Sequence, residues 1–293
     1  MGNCFCSDEQ TVFKSRVAIK FPHGIEGIEY SDDLKCFIPC KDLNGWLQSL
    51  YHNTKITQWV IYNDESDDIV EKGHHTKGHC KGIVAWNETL ITWLCHSVPN
   101  FPREFTSQTI SEIEKSELLY GQSFQYTEFP YHNDTLTSIM QQLTVMEANI
   151  YCTQHHFMFA KKINREISTI VLSPTITHIA KSPHYSIDMY SECIAKRYPS
   201  TWHIETWKRG HAIQENMPSV KDIKTLHYGM HKFKESQDHS KWAVSDTDMY
   251  WVGDLNRMTS QFHRGGGGFL IHNADISSAF RDLIKEEVER VVV

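Results

Sequence analysis

Two short stretches of this 293-residue chain repeat one pattern. His79-Cys80-Lys81 leads into an apolar strand, a second strand ending near Cys95, and then Asn100. His239-Ser240-Lys241 leads into Trp242-Ala243-Val244, a strand near Trp251, and then Asn256. Residues two apart on a strand point to the same side, so each histidine and its lysine face one site. Two such units meeting across a pseudo-twofold axis bring two imidazoles and two ammonium groups together. That set suits a phosphodiester. One neutral imidazole attacks phosphorus to form a phosphohistidine, and the other, protonated, donates to the departing oxygen. The lysines hold the non-bridging oxygens while charge develops, and the amides of Asn100 and Asn256 add hydrogen bonds. The chemistry calls for no metal and no cofactor. A single His-x-Lys is an ordinary solvated pair; two copies, each followed by a hairpin and an asparagine, carry the reading.

Alternating strand and helix patterns position these residues. Strand-like runs cover Val17–Lys20, Gln58–Tyr62, Ile83–Trp86, Leu90–Cys95, Phe124–Phe129, Ile167–Leu172, Trp202–Trp207 and Met249–Gly253. Helical spacing links Leu43, Trp46, Leu47 and Leu50, and again Leu136, Ile139, Met140 and Leu143, with Asp134 as N-cap. A third helix is expected at Ile187, Tyr190 and Ile194, and a last one from Asp275 through Phe280 and Ile284 to Val288. Strands mixed with helices in both halves predict a layered α/β chain, divided into residues 1–148 and 149–293 with one His-x-Lys motif each.

Composition narrows the function. Hydrophobic residues make up 40%, enough for a full core, and no apolar run approaches a membrane span. The net charge of −7 repels nucleic acid in general, but 18 histidines carry it to +11 when all are protonated. Eight cysteines read as buried thiols rather than a disulfide framework or a metal site. Gly2 followed by Cys4 and Cys6 reads as a lipid-anchor signal or as a processed N-terminus behind a starting Met. His74, His75, His79 and Cys80 could be read as zinc ligands, but the interleaved Lys77 and Lys81 repel a cation.

The wider motif set resembles the deoxyribonuclease II family. The blocks are Gly78-His79-Cys80-Lys81-Gly82, His96-Ser97-Val98-Pro99-Asn100-Phe101-Pro102, Tyr120-Gly121-Gln122, Asp238-His239-Ser240-Lys241-Trp242, Gly253-Asp254-Leu255-Asn256-Arg257 and Arg264-Gly265-Gly266-Gly267. They run in family order along essentially the whole chain. The resemblance implies a phospholipase-D-like pseudo-dimer of two similar halves, each with a mixed sheet and flanking helices. It further implies an acid, metal-independent endonuclease on double-stranded DNA that leaves 3′-phosphate ends. A phosphodiesterase on smaller nucleotides or phospholipid headgroups, and a catalytically silent DNA-binding homologue, are the alternatives. The resemblance adds His96 to the site, either near the active centre or as a loop-orienting histidine. Arg264 with Gly265 and Gly266 is read as a phosphate cradle or a flexible turn. His75 also fits the family's first motif, but His79 stands 17 residues before His96 and matches the family spacing, whereas His75 stands 21 before it. The family's usual disulfide cysteines are mostly missing. Lysosomal or secreted location follows from the resemblance; an intracellular or virus-like setting follows from those missing cysteines and the lack of a visible signal peptide.

Overall fold

The computed structural model describes residues 14–64, 78–154, 166–207 and 218–287. The first eight strands are β1 (Ser15–Lys20), β2 (Gly27–Ser31), β3 (Cys36–Cys40), β4 (Gln58–Tyr62), β5 (Gly82–Trp86), β6 (Leu90–His96), β7 (Gln122–Pro130) and β8 (Ile150–Thr153). They form one sheet in the order β3-β2-β1-β7-β6-β5-β4-β8. The second sheet comprises β9 (Ile167–Val171), β10 (Ile176–Lys181), β11 (Trp202–Thr206), β12 (Val220–Tyr228), β13 (His231–Lys234), β14 (Lys241–Ser245), β15 (Met249–Gly253), β16 (Gly266–His272) and β17 (Ile284–Glu287). Its order is β13-β12-β11-β14-β15-β16-β10-β9, with β17 paired to β12.

The first sheet is antiparallel throughout, so the mixed sheet expected in each half occurs only in the second. There β11 and β12 run parallel. Tight hairpins such as the Asn87 turn enforce antiparallel pairing, while a parallel pair needs a longer connection. Among the described residues helices are few: α1 (Leu43–Tyr51), α2 (Asn133–Val145), α3 (Ala274–Asp282) and a π-turn, Met189–Ile194, that runs into Ala195–Arg197. The architecture is α+β.

Two expected helix boundaries shift. Asp134 lies inside the first turn of α2, whose N-cap is His132. The last helix stops at Asp282, and Ile284–Glu287 pairs with β12 instead of continuing it. Phe280, Leu283 and Ile284 satisfy helical spacing, but an unpaired β12 edge offers the backbone a competing partner.

The strands holding the two motifs are buried on both faces, which is why they read as unbroken apolar runs. Val84 and Trp86 of β5 and Trp242 and Val244 of β14 enter one shared cluster between the sheets, together with Trp93, Tyr250 and Phe269. Ile83 and Ala85 turn the other way, toward α1; Ala243 turns toward the Met189–Ile194 turn. Helix α2 packs on β9 and β10 of the second sheet, and α3 reaches β3 of the first, where Phe280 meets Phe37 at 5.1 Å. These exchanged helices tie the halves together.

His178 of β10 is buried in this interface, stacked on Trp93 at 4.3 Å and against Phe269 at 5.2 Å. Burial pushes its imidazole down to about 3. The unfolded chain takes up this proton near 6.5 and the folded one resists it, so stability present above about pH 6.5 is lost on acidification toward pH 3. His178→Phe should flatten the pH dependence of urea unfolding in that window by about 1.4 kcal/mol per pH unit. A wild-type slope in the variant would show that the ring is not kept neutral.

Candidate active site

The first His-x-Lys motif sits just before β5, and the second runs into β14, whose first residue is Lys241. At that end of the first sheet the chain leaves β4 through Asn63 and Asp64. Asp64 is buried and reaches three cations: it pairs with Lys81 Nζ, lies 3.1 Å from Arg264 Nη2, and stands 3.6 Å from His79 Nε2. Burial alone would raise its pKa, but Lys81, His79 and Arg264 hold its carboxyl below the usual carboxylate range. Arg264 comes from the second half of the chain, so this carboxylate joins the halves.

His79 is fixed from the same side. Its Nδ1 lies 2.7 Å from the backbone oxygen of Asp254, and its N–H donates to the Gly265 oxygen at 2.7 Å. A carbonyl only accepts, so Nδ1 carries the proton and a neutral ring keeps its lone pair on Nε2. Burial, reinforced by Lys81, Lys241 and Arg264 and opposed by Asp64, pushes this imidazole well down. Asp254 supports the arrangement with its side chain too. It accepts from the N–H groups of Lys81 and Gly267 at 3.3 Å each, and from the Cys95 thiol at 3.6 Å. Burial raises its carboxyl to about 7, against the pull of Lys81.

The second motif has a different setting. His239 lies flat on Tyr120, with ring centroids 4.1 Å apart and planes 10° apart, and Trp207 tilts against it at 4.4 Å. Its N–H donates to the Gly121 oxygen, while Gly121 N–H donates to the Gln237 oxygen, both at 2.9 Å. Lys241 Nζ donates back to the His239 carbonyl, and its N–H donates to Ser123 Oγ at 3.2 Å. Burial and then Lys81 lower the Lys241 ammonium to about 7. The two motif lysines therefore act on each other across the two halves.

His96 is buried beside this centre. Its N–H donates to the Lys81 oxygen at 3.3 Å, and its ring packs on Phe101 at 5.2 Å. Burial, with Lys81 adding to it, pushes its imidazole down to about 3. The next residue, Ser97, bonds Gln122 at 2.5 Å and receives the Ser123 N–H at 3.0 Å, which continues the contact toward Lys241. Asn100 has a left-handed backbone, φ 50°, in the same loop. Asn256 is buried with its Oδ1 unbonded. Arg257 beside it is held between Asp188 and Asp222. Gly265 and Gly266 are buried where the chain enters β16. A Cβ at Gly265 would stand 2.1 Å from the Met146 oxygen, so only glycine permits this approach. His74 and His75 lie outside the described residues.

The family model for deoxyribonuclease II matches residues 41–289 of this chain. The chain belongs to the deoxyribonuclease II family. It is a deoxyribonuclease II-like hydrolase, an endonuclease by family. It is 32% identical over 274 residues to deoxyribonuclease-2-beta of Mus musculus, covering 82% of this chain and 75% of that protein. Deoxyribonuclease-2-alpha of Sus scrofa is 28% identical over 267 residues, 82% of this chain and 72% of that one. Plancitoxin-1 of Acanthaster planci is 29% identical over 253 residues, with 78% and 70% covered. Among the described residues no helix is long and apolar enough to cross a membrane. The six described cysteines are all unpaired; Cys4 and Cys6 lie outside that set.

Several supports of this family site escaped the sequence reading. Asp64 opens an acidic run, Asn63-Asp64-Glu65-Ser66-Asp67-Asp68, that looks like a solvated loop. Its position directly after a strand end was the usable signal. Asn63 donates to the Val98 and Phe101 oxygens at 3.1 and 3.0 Å and so anchors the loop after His96. Lys20 and Lys181, at the ends of β1 and β10, each spend a buried ammonium on backbone carbonyls. Lys20 holds the Leu118 oxygen at 3.0 Å, two residues before Tyr120; Lys181 holds that of Arg264 at 2.7 Å. Asp246, five residues after Lys241, bonds His203 at 2.6 Å, apart from these contacts.

Proposed function

We propose that this chain is an acid, metal-independent endonuclease that cuts DNA to 3′-phosphate ends at a site shared by two similar halves. The observation that carries the reading is the common charge cluster, in which Asp64, His79 and Lys81 of one half meet Lys241 and Arg264 of the other. The matching strand orders β1-β7-β6-β5-β4 and β10-β16-β15-β14-β11 support a pseudo-dimer, with residues 1–148 and 149–293 as its halves in one catalytic unit.

His79 is the nucleophile. Its bare Nε2 attacks phosphorus, the bond to the 5′-oxygen breaks, and that oxygen takes a proton from His239. The aromatic faces of Tyr120 and Trp207 hold the His239 ring in place for this step. Neutral His239 then accepts a proton from water, which cleaves the phosphohistidine and leaves a 3′-phosphate. Lys81, Lys241 and Arg264 supply the positive charge on the non-bridging oxygens, and Asn100, Asn256 and His96 complete the polar wall. Gly265 and Gly266 bring Arg264 to the phosphate.

Acid conditions suit these groups. Lys241 gains its charge as the pH falls through about 7, while His79, held low, stays neutral well below that. Plasmid nicking in excess EDTA, from pH 4.5 to 7.5, should rise as the pH drops below 7 and yield ends that polynucleotide kinase labels at 5′-hydroxyls without prior phosphatase. Loss of nicking in EDTA would overturn the metal-free mechanism. Inactivity at every pH would overturn the nuclease reading itself.

A further inference from the structure

Strands β1 and β10 end alike, in Val17-Ala18-Ile19-Lys20 and His178-Ile179-Ala180-Lys181. Each lysine closes its strand opposite the first residue of a neighbouring one: Lys20 pairs with Gln122 of β7, and Lys181 with Gly266 of β16. Both lysines are fully buried. A buried ammonium is costly unless its N–H donors are taken up, and here backbone carbonyls take them. Lys20 Nζ donates to the Phe21 and Gly24 oxygens at 2.8 Å each, one and four residues on, and to that of Leu118 at 3.0 Å. Lys181 Nζ reaches the same offsets, Ser182 at 3.4 Å and Tyr185 at 3.0 Å, and then Phe262 at 2.8 Å and Arg264 at 2.7 Å. Leu118 and Phe262 each stand four residues before the strand that follows, β7 or β16. The two sheets therefore carry the same device. A lysine grips the turn after its own strand and the strap that leads into the neighbouring strand. Burial pulls both ammoniums down to about 8, for Lys20 against Asp238 and Glu117, so each keeps its donors at and below neutral pH.

The straps end on the two motif histidines, and they cross between the sheets. Leu118 leads through Tyr120 to Gly121, whose oxygen accepts the His239 N–H at 2.9 Å. Phe262 leads through Arg264 to Gly265, whose oxygen accepts the His79 N–H at 2.7 Å. Tyr120 also stacks on His239, and Arg264 meets Asp64 beside His79. Both straps lie outside the named strands, so bonds such as these fix their place instead of a strand ladder.

We propose that Lys20 and Lys181 are positioning residues for the reaction, each holding the strap that seats the other sheet's motif histidine. Lys20 sets His239 through Tyr120 and Gly121; Lys181 sets His79 and Arg264 through Gly265. This rests on the proposed roles of His239 as acid and His79 as nucleophile.

The test follows cleavage, in a single turnover, of a DNA duplex in which sulfur replaces one bridging 5′-oxygen. Attack by His79 Nε2 on that phosphorus breaks the P–S bond, and the sulfur leaves with the electron pair as a thiolate that needs no proton. Ordinary bonds of the same strand serve as the internal standard. Lys20→Met should slow the ordinary bonds by about 10²-fold, the effect of a misplaced group, and raise the ratio of sulfur-bond to ordinary-bond cleavage about tenfold. Lys181→Met should slow both kinds of bond by about 10²-fold and keep the ratio within about twofold of wild type, because both need the nucleophile. A lysine that only stabilises the fold scales every bond alike and leaves the ratio unmoved. Lys20→Gln and Lys181→Gln, whose amides still donate, should fall between wild type and the Met variants. An unmoved ratio in folded Lys20→Met overturns the proposal, as does full activity in either Met variant. If no Lys20 variant folds, Tyr120→Ala reads the same strap, and an unmoved ratio there overturns the proposal too. Wild type that cuts no DNA at any pH refutes the endonuclease reading, and the positioning roles fall with it; an active wild type with unaffected lysine variants refutes the positioning roles alone.

Discussion

His79→Ala should lower the turnover of plasmid DNA by on the order of 10⁴ or more, because the proposed mechanism has its ring bond to phosphorus. His239→Ala should lower it by about 10²–10⁴, the usual contribution of a general acid. The two separate on a substrate whose leaving group needs no proton. On bis(4-nitrophenyl) phosphate, nitrophenolate departs unaided, so His239→Ala should recover to within about tenfold of wild type in the first, phosphoryl-transfer step. His79→Ala should stay inactive. Rapid-quench measurement of the first turnover reads this step directly. The reverse pattern would exchange the two roles. The asymmetry follows from geometry: a backbone carbonyl fixes one ring as an Nδ1–H tautomer, while aromatic faces hold the other.

Asp64→Ala should cost about 3–5 kcal/mol of folding stability, the range found when one partner of a buried ion pair is deleted. The side chain is only 3% exposed, and Lys81, which it holds, is 4% exposed, so water cannot take over the pairing. Arg264 loses its tether in the same stroke. Asp64→Asn keeps the shape and some hydrogen bonding, and so separates charge from packing. In either variant His79 loses the carboxylate that opposes its desolvation, and the acid limb of the pH–rate profile should move to lower pH. Denaturant unfolding and a pH–rate profile of Asp64→Asn test both claims. Stability within 1 kcal/mol of wild type in Asp64→Ala, together with an unmoved acid limb, would remove Asp64 from the site.

The buried histidines also revise what the composition implied. His79, His96 and His178 are held neutral by burial, so the swing toward +11 on acidification is reduced by at least those three. Acid charges Lys241, while acid weakens the fold through His178.

Local information determined a good deal of this protein. All eight strand-like runs occur as strands, because alternation and β-branched or aromatic content are properties of a few consecutive residues. The repeated His-x-Lys units and the family blocks were legible for the same reason: each is a contiguous stretch. Other features depended on partners distant in the chain. Ile284–Glu287 continues a helical pattern, yet becomes a strand because β12 offers a free edge. Asp64 looks like one more acid in a polar loop until Lys81 and Arg264, 17 and 200 residues away, close around it. The tautomer of His79 is set by a carbonyl 175 residues on. Sequence therefore supplied the groups proposed to react and the strands beside them. Tertiary packing decided their charge and proton positions, because both depend on burial and on neighbours that only the folded chain brings within a few ångströms.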